Sequence, residues 1–285
     1  MKLVRFGEKG QERPGIIDAD GNVRDVSELV PDFAGTNLFE AIASLAVADL
    51  RAAPLVPAGV RFGVPLTGIG NILCIGRNYV EHAAETGHTV LDEPIVFTKT
   101  TSSINGPNDQ VVIPKNSNKS DWEVELGVVI GRTARYVTLD EALDYAAGYC
   151  IVNDVSEREF QLERSGQWVK GKSCETFAPI GPWLVTRDEI PDPQNLALST
   201  TVNGHRYQDG NTRDMVFGVA FLIHYLSQFM TLLPGDVIAT GTPSGIGMAL
   251  KPPVFLKPGD VMEVAVEGLG VQRQEVVAFD PAFFA

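Results

Sequence analysis

The chain has 285 residues, 44% hydrophobic and 21% charged, enough for one large domain or a main domain with a small companion. Its 36 acidic residues against 23 basic ones give a net charge of −13, which argues against non-specific binding to nucleic acid or an anionic membrane. The three cysteines (Cys74, Cys150, Cys174) lack pairing or zinc-like spacing and point to a reducing cytoplasm. The first ten residues lack the apolar core of a secretory signal, and no apolar run reaches membrane-spanning length.

In chain order, Lys2-Leu-Val-Arg-Phe6, Gly15-Ile-Ile-Asp18 and Val23-Arg-Asp-Val26 read as strands of a small β unit, with a turn at Asp20-Gly21. Helices are expected over 37–45 and, in an alanine-rich stretch, over 47–53. Pro54, Pro57 and Pro65 mark a connector into the short apolar strand Gly70-Asn-Ile-Leu-Cys-Ile75, and the sequence suggests a division into 1–68 and 69–285. Thr138-Leu-Asp-Glu141 has the pattern of a capping box opening a helix that ends near Gly148. The next strand, Tyr149-Cys-Ile-Val-Asn-Asp154, delivers Asp154 at its end. A short polar helix over 156–165 and a long buried one over 215–232 follow. Two Pro-Gly-Asp turns (Pro234, Pro258) each launch a strand, and Gly268-Leu-Gly270 turns the last hairpin. Helices and strands do not alternate regularly, so the class is α+β or complex β.

The most informative segment is Asp121-Trp-Glu-Val-Glu-Leu-Gly-Val-Val-Ile-Gly131. With period two, Val124, Leu126, Val128 and Ile130 face one way, and Glu123, Glu125 and Gly127 the other. Adjacent glutamates repel each other, so this is either a strand with one solvated face or a cation site. Asp154 is a third acid, unless it caps a helix ahead of Ser156. If the strands are neighbours, an oxygen-only site results, suited to Mg²⁺, Mn²⁺ or Ca²⁺ rather than zinc. Lys172, in a run of small and polar residues, is a candidate for a substrate carboxylate or enolate oxygen, with a solvated lysine as the alternative; Lys170 is the expected solvated one. His82 and Glu85, three apart, share a helix face and suit a general base held by a carboxylate, or a plain surface pair. No role follows for His88 or His205, and His224 reads as a core histidine. Thr240-Gly-Thr-Pro-Ser-Gly-Ile-Gly247 is either an anion-binding glycine loop or a tight structural one; it lacks the lysine of a P-loop.

In combination, Gly76-Arg-Asn-Tyr-x-x-His, Phe97-Thr-Lys99, the Asp121–Gly131 segment, Asn153-Asp154-Val-Ser-x-Arg158, Lys172-Ser-x-x-Thr-x-x-Pro-x-Gly-Pro and Thr240-Gly-Thr-Pro-Ser-Gly resemble the fumarylacetoacetate hydrolase family from Asn71 to about Val277. The resemblance implies a mixed β-roll catalytic domain behind a small N-terminal α+β domain, usually in dimers. It implies Mg²⁺ or Mn²⁺ on Glu123, Glu125 and Asp154, a water-activating His82–Glu85 dyad on a mobile lid, and substrate held by Lys172. Arg158, Gln161 and Thr242 would be pocket contacts, with Arg77 also assigned to the substrate where relatives often carry Lys.

The reaction expected on that basis is cleavage of the C3–C4 bond of a 2,4-dioxo acid, such as a 2,4-diketo-3-deoxy sugar acid or another acylpyruvate, to pyruvate and a second acid. The opening of the chain is similar to bacterial diketo-sugar-acid hydrolases and to chains labelled ureidoglycolate lyase. Oxaloacetate decarboxylation is the enzymatic rival, and a metal-binding scaffold the non-enzymatic one.

Overall fold

The computed structural model describes residues 1–284. Strands β1 (Lys2–Phe6), β2 (Arg13–Ile17) and β3 (Val23–Asp25) form a meander, followed by helix α1 (Leu38–Val47). Then come β4 (Ile72–Gly76), helix α2 (Val80–Glu85) and β5 (Ile95–Lys99). Short strands β6 (Ile104–Asn105), β7 (Val111–Val112) and β8 (Ser120–Asp121) lead into β9 (Val124–Ile130) and β10 (Ala146–Asn153). After β11 (Ser156–Glu157), helix α3 (Val169–Lys172) and β12 (Ala178–Thr186), the hairpin β13 (Ala197–Val202) and β14 (His205–Asn211) precedes helix α4 (Val219–Phe229). Strands β15 (Val237–Ala239), β16 (Val261–Val266) and β17 (Gly270–Val277) finish the chain.

Ten strands make one sheet in the order β3-β2-β1-β12-β10-β9-β15-β4-β5, with β6 pairing in parallel with β12. That last pairing forces the sheet to curl. From β12 to β5 is five strand spacings, about 24 Å if flat. The five residue steps from Lys99 to Ile104 span at most about 17 Å. The inside of the curl collects Phe97, Ile104, Val129, Cys150, Val152, Ala178 and Ala239 in one cluster, joined by Leu38, Ala41 and Leu45 of α1 at i, i+3, i+7. It is crowded: a Cβ on Gly127 would lie 2.8 Å from Val152 and 2.9 Å from Cys150. On the outside, Leu126, Val128, Tyr149 and Ile151 pack against Leu222, Ile223 and Leu226 of α4 and against Leu198 and Val264 of the five-stranded sheet β14-β13-β16-β17-β7. Every residue of β9 and β10 is therefore buried, whereas β16 and β17 alternate buried with exposed or half-buried positions. The mixed sheets with few helices give the α+β class.

Several expected elements differ. The helix over 47–53 does not form, because Ala48 is already extended and the Asp49 carboxylate accepts the Arg51 amide in a local turn. At Thr138 the hydroxyl bonds the Glu141 carboxylate instead of capping, and only a 3₁₀ turn, Ala142–Tyr145, precedes β10, whose pairing with β9 claims the next residues. The 156–165 segment is β11 and then a π-turn, Glu159–Glu163. Helix α4 is shorter than expected because Asn78 takes the Val216 and Phe217 amides at one end and Leu232 pairs with Ala134 at the other. All three cysteines are free thiols, and no helix among the described residues is long and apolar enough to cross a membrane.

No break in the sheet accompanies the division at residue 68: β1 pairs with β12, and Leu3, Leu38 and Leu45 share a core with Ile180 and Leu184. We propose that 1–68 and 69–285 unfold as one unit. All three tryptophans (Trp122, Trp168, Trp183) lie beyond residue 68. Leu45→Ala should destabilise the chain by about 2–5 kcal/mol and lower the tryptophan-fluorescence and far-UV dichroism midpoints together. A tryptophan transition left in place would show that the N-terminal part melts by itself.

Candidate active site

Register places the site. Ala239 pairs with both Cys74 and Gly127, so Gly76, Gly241 and Glu125 lie level at one end of the curled sheet. Asp154 follows the last residue of β10, and its amide donates to Glu123 O at 2.9 Å. Carboxylate oxygens of Glu123, Glu125 and Asp154 thereby come within 4.8 Å of one another, all buried. A solvated face for the two glutamates is excluded, as is a helix-capping role for Asp154.

The buried cations around them divide unevenly. Lys172 Nζ donates to Glu123 Oε2 at 2.7 Å and Asp154 Oδ2 at 2.6 Å, and Lys99 Nζ donates to Asp154 Oδ1 at 2.6 Å. Arg158 bonds Asp121 Oδ2 at 2.9 Å, lies 2.8 Å from Glu123 Oε1, and donates to Gln161 Oε1 at 3.0 Å. Burial raises Glu123, but Lys172 and then Arg158 outweigh it and hold this carboxyl well below the usual range. Burial lowers Lys172, but Asp154 and Glu123 reverse the direction and keep it charged. Glu125 is left out: it accepts one amide, Gly241 N at 2.8 Å, and burial, then Asp154 and Glu123, push it well above its ordinary value.

Helix α2 carries the second group. His82 Nδ1 lies 2.9 Å from Glu85 Oε1. A carboxylate only accepts, so Nδ1 bears a proton and, in the neutral ring, Nε2 carries the lone pair. Glu85 Oε2 accepts Gly245 N at 2.8 Å, and Glu81 accepts the Ser244 hydroxyl at 3.2 Å. Gly247 N, at the end of the loop, and Met248 N, just beyond it, donate to Asp121. The 240–247 loop therefore directs amides at the chain's own carboxylates rather than at an external anion.

One cleft gathers Arg77, His82, Glu123, Glu125, Arg158, Gln161, Lys172 and Thr242, walled by Phe97, Trp168 and Ile246. The Thr242 hydroxyl is already engaged, donating to Val124 O and accepting from Gln208, so it fixes the loop. Arg158 likewise braces Glu123, while Gln161 keeps its amide nitrogen without a protein partner among the described residues. Lys170 is exposed, bonded to Arg164 O. His224 is half-buried rather than in the core, with Nδ1 against Val137 O, and His205 opens β14. Sequence reasoning gave no role to Lys99, Asp121, Trp168 or His88, which lines the cleft. Lys99 and Asp121 sit inside recognised motifs, but their ion pairs cross 55 and 37 residues of chain, which no local pattern shows.

The donor set fits a hard divalent cation: three carboxylates, no sulfur or imidazole, and one buried acid, Glu125, that no side-chain cation among the described residues contacts directly.

Residues 71–277 match the family model described as fumarylacetoacetate (FAA) hydrolase C-terminal. A Burkholderia lata protein with a provisional hydrolase name is 60% identical over 276 residues, 96% of this chain and 98% of its own. Among solved structures, a fumarylacetoacetate hydrolase from Exiguobacterium antarcticum is 37% identical with a TM-score of 0.87, covering 98% of this chain and 100% of that one. A maleylpyruvate hydrolase from Sphingobium sp. SYK-6, in complex with manganese(II) and pyruvate, is 30% identical with a TM-score of 0.82, over 98% and 100% of the two chains.

Glu125 holds its proton more tightly folded than unfolded. The ion-free protein should therefore lose stability as pH rises above the ordinary glutamate value of 4.5. Mg²⁺ or Mn²⁺ should restore it, with apparent affinity rising up to about tenfold per pH unit until Glu125 is ionised. Thermal melts across pH with and without metal check this, and Glu125→Gln should abolish most of the metal-induced shift.

Proposed function

The chain belongs to the fumarylacetoacetate hydrolase family, and we propose that it is a divalent-metal-dependent hydrolase that cleaves the C3–C4 bond of a 2,4-dioxo acid. One observation carries this reading: two members of an oxygen-only acidic triad, Glu123 and Glu125, line one cleft with a buried lysine and a carboxylate-held histidine. The pyruvate and manganese complex of the Sphingobium relative supports it. We read the partner as a small 2-oxo acid, with Mg²⁺ or Mn²⁺ on Glu123, Glu125 and Asp154, and the working form as a homodimer.

A bound dication would supply Lewis-acid polarisation of the substrate oxygens and charge neutralisation beside Glu125. His82 Nε2 takes a proton from water, while Glu85 stabilises the imidazolium through Nδ1–H. The hydroxide adds to the C4 carbonyl carbon. Collapse breaks the C3–C4 bond, releasing the acid, and the electron pair passes into a pyruvate enolate that is then protonated at C3. Lys172 has three N–H groups, two engaged with Glu123 and Asp154. The third is available to the enolate oxygen, where negative charge grows during bond cleavage. Gly245 N keeps Glu85 in place, so the dyad is oriented before substrate arrives.

Pyruvate release should be measured in parallel from an acylpyruvate, a 2,4-diketo-3-deoxy sugar acid and oxaloacetate, with Mg²⁺, with Mn²⁺ and after chelation. Metal-dependent turnover of a diketo acid is expected. His82→Ala should lower its kcat by about 10²–10⁴-fold. Turnover of oxaloacetate alone, retained in His82→Ala, would make the protein a decarboxylase instead. If none of the three yields pyruvate, the hydrolase reading fails and ureidoglycolate becomes the substrate to test.

A further inference from the structure

Five arginines of the chain escape full exposure: Arg5, Arg24, Arg61, Arg77 and Arg158. Four are tied to carboxylates, Arg5 to Asp32, Arg24 to Asp18, Arg61 to Glu12 and Asp109, and Arg158 to Asp121 and Glu123. Arg77 is the exception. Among the described residues no hydrogen bond or ion pair reaches its guanidinium, and its one contact of note is the Trp168 ring, 5.9 Å from the charge. It lines the cleft that holds Lys172, Glu123 and Glu125. Burial lowers its pKa, with no carboxylate to offset the effect.

The position is held by construction. Arg77 has φ +56°, a conformation that side chains with a Cβ seldom adopt. Asn78 fixes that corner, its side-chain amide donating to Phe217 O and Thr240 O and its carbonyl accepting Phe217 N. Gly76 lets Trp168 lie against the backbone, since a Cβ there would meet the indole at 2.7 Å. Phe97 packs edge-on against the same indole, giving the guanidinium an apolar backing. A planar, permanently charged fork on an aromatic wall suits a carboxylate, which it grips through two parallel hydrogen bonds.

The backbone sets the base of this side chain apart from the reacting end. Gly76 and Glu125 are level but two strands apart, about 10 Å. Lys172 and the triad would take the dioxo end of the substrate, leaving Arg77 to meet whatever the acyl group carries at its far end. We propose that Arg77 is a specificity-determining residue that binds a terminal carboxylate on the acyl group, so that the preferred substrates are dicarboxylic 2,4-dioxo acids. This rests on the hydrolase reading above and narrows it.

The test compares 2,4-dioxoheptanedioate with 2,4-dioxoheptanoate, which share a chain length and differ in the terminal carboxylate. The wild type should favour the dicarboxylate in kcat/KM by at least about tenfold, mainly through KM. Arg77→Gln should collapse that preference, Arg77→Lys should keep part of it, and Arg77→Glu should reverse it. Equal use of both acids by the wild type, or a preference that survives Arg77→Gln, overturns the proposal while leaving the hydrolase reading intact. If the wild type hydrolyses neither acid, the hydrolase reading is decided by the three-substrate comparison above, and calorimetry with metal-loaded protein decides the role of Arg77. There, 2-oxoadipate should bind at least tenfold more tightly than 2-oxohexanoate in the wild type but not in Arg77→Gln, and equal affinities in the wild type would overturn it.

Discussion

A short link closes the sheet. Because Lys99 and Ile104 are only five residues apart, β5 and β12 cannot lie at the two sides of a flat sheet, and the strands between them must curl. Side chains on the inner face then lose access to water. Small residues such as Gly127, Cys74, Cys150 and Ala239 fill the crowded part, and α1 packs against it. At one end of the same sheet lie Glu123, Glu125 and Asp154, whose charges must be met by partners that are also buried.

The chain meets most of that charge itself. Lys99, Lys172 and Arg158 come from β5, α3 and the segment between β11 and the π-turn, so the cluster exists only when four separate stretches of chain are docked. Removing one partner would strand a buried charge, a larger penalty than loss of a surface pair. The imbalance at Glu125 is what suits the cluster to a cation, and the same imbalance makes the ion-free form sensitive to pH.

The glycine loop links the two halves of the chemistry. Its amides meet Glu125 through Gly241, Glu85 through Gly245 and Asp121 through Gly247. One loop therefore holds a triad carboxylate, the carboxylate that orients His82, and the acid that anchors Arg158. Movement of α2 away from this loop would break the Glu85 contact and release the imidazole at the same time. The rigidity needed for proton transfer is supplied by backbone amides, which have no rotamers to lose.

By itself the sequence determined the family-bearing motifs, the three candidate metal ligands, the His82–Glu85 spacing and most strands, because each is encoded within a few residues by chemistry or period. It did not reveal that both faces of β9 are buried. A one-sided amphipathic strand and the inner strand of a tight roll share the alternation of Glu123, Glu125 and Gly127, and only closure by β6 distinguishes them. Local propensity misplaced the helices at 47–53 and near Thr138, where a side-chain turn and the pairing of β10 took the backbone groups instead. The sequence also could not show that Thr242 and Arg158 are engaged with the protein while Arg77 is not. That depends on which atoms meet across folded segments. An arginine in a motif looks the same whether a carboxylate reaches it or not, and only the tertiary structure decides which charge is left over for a ligand.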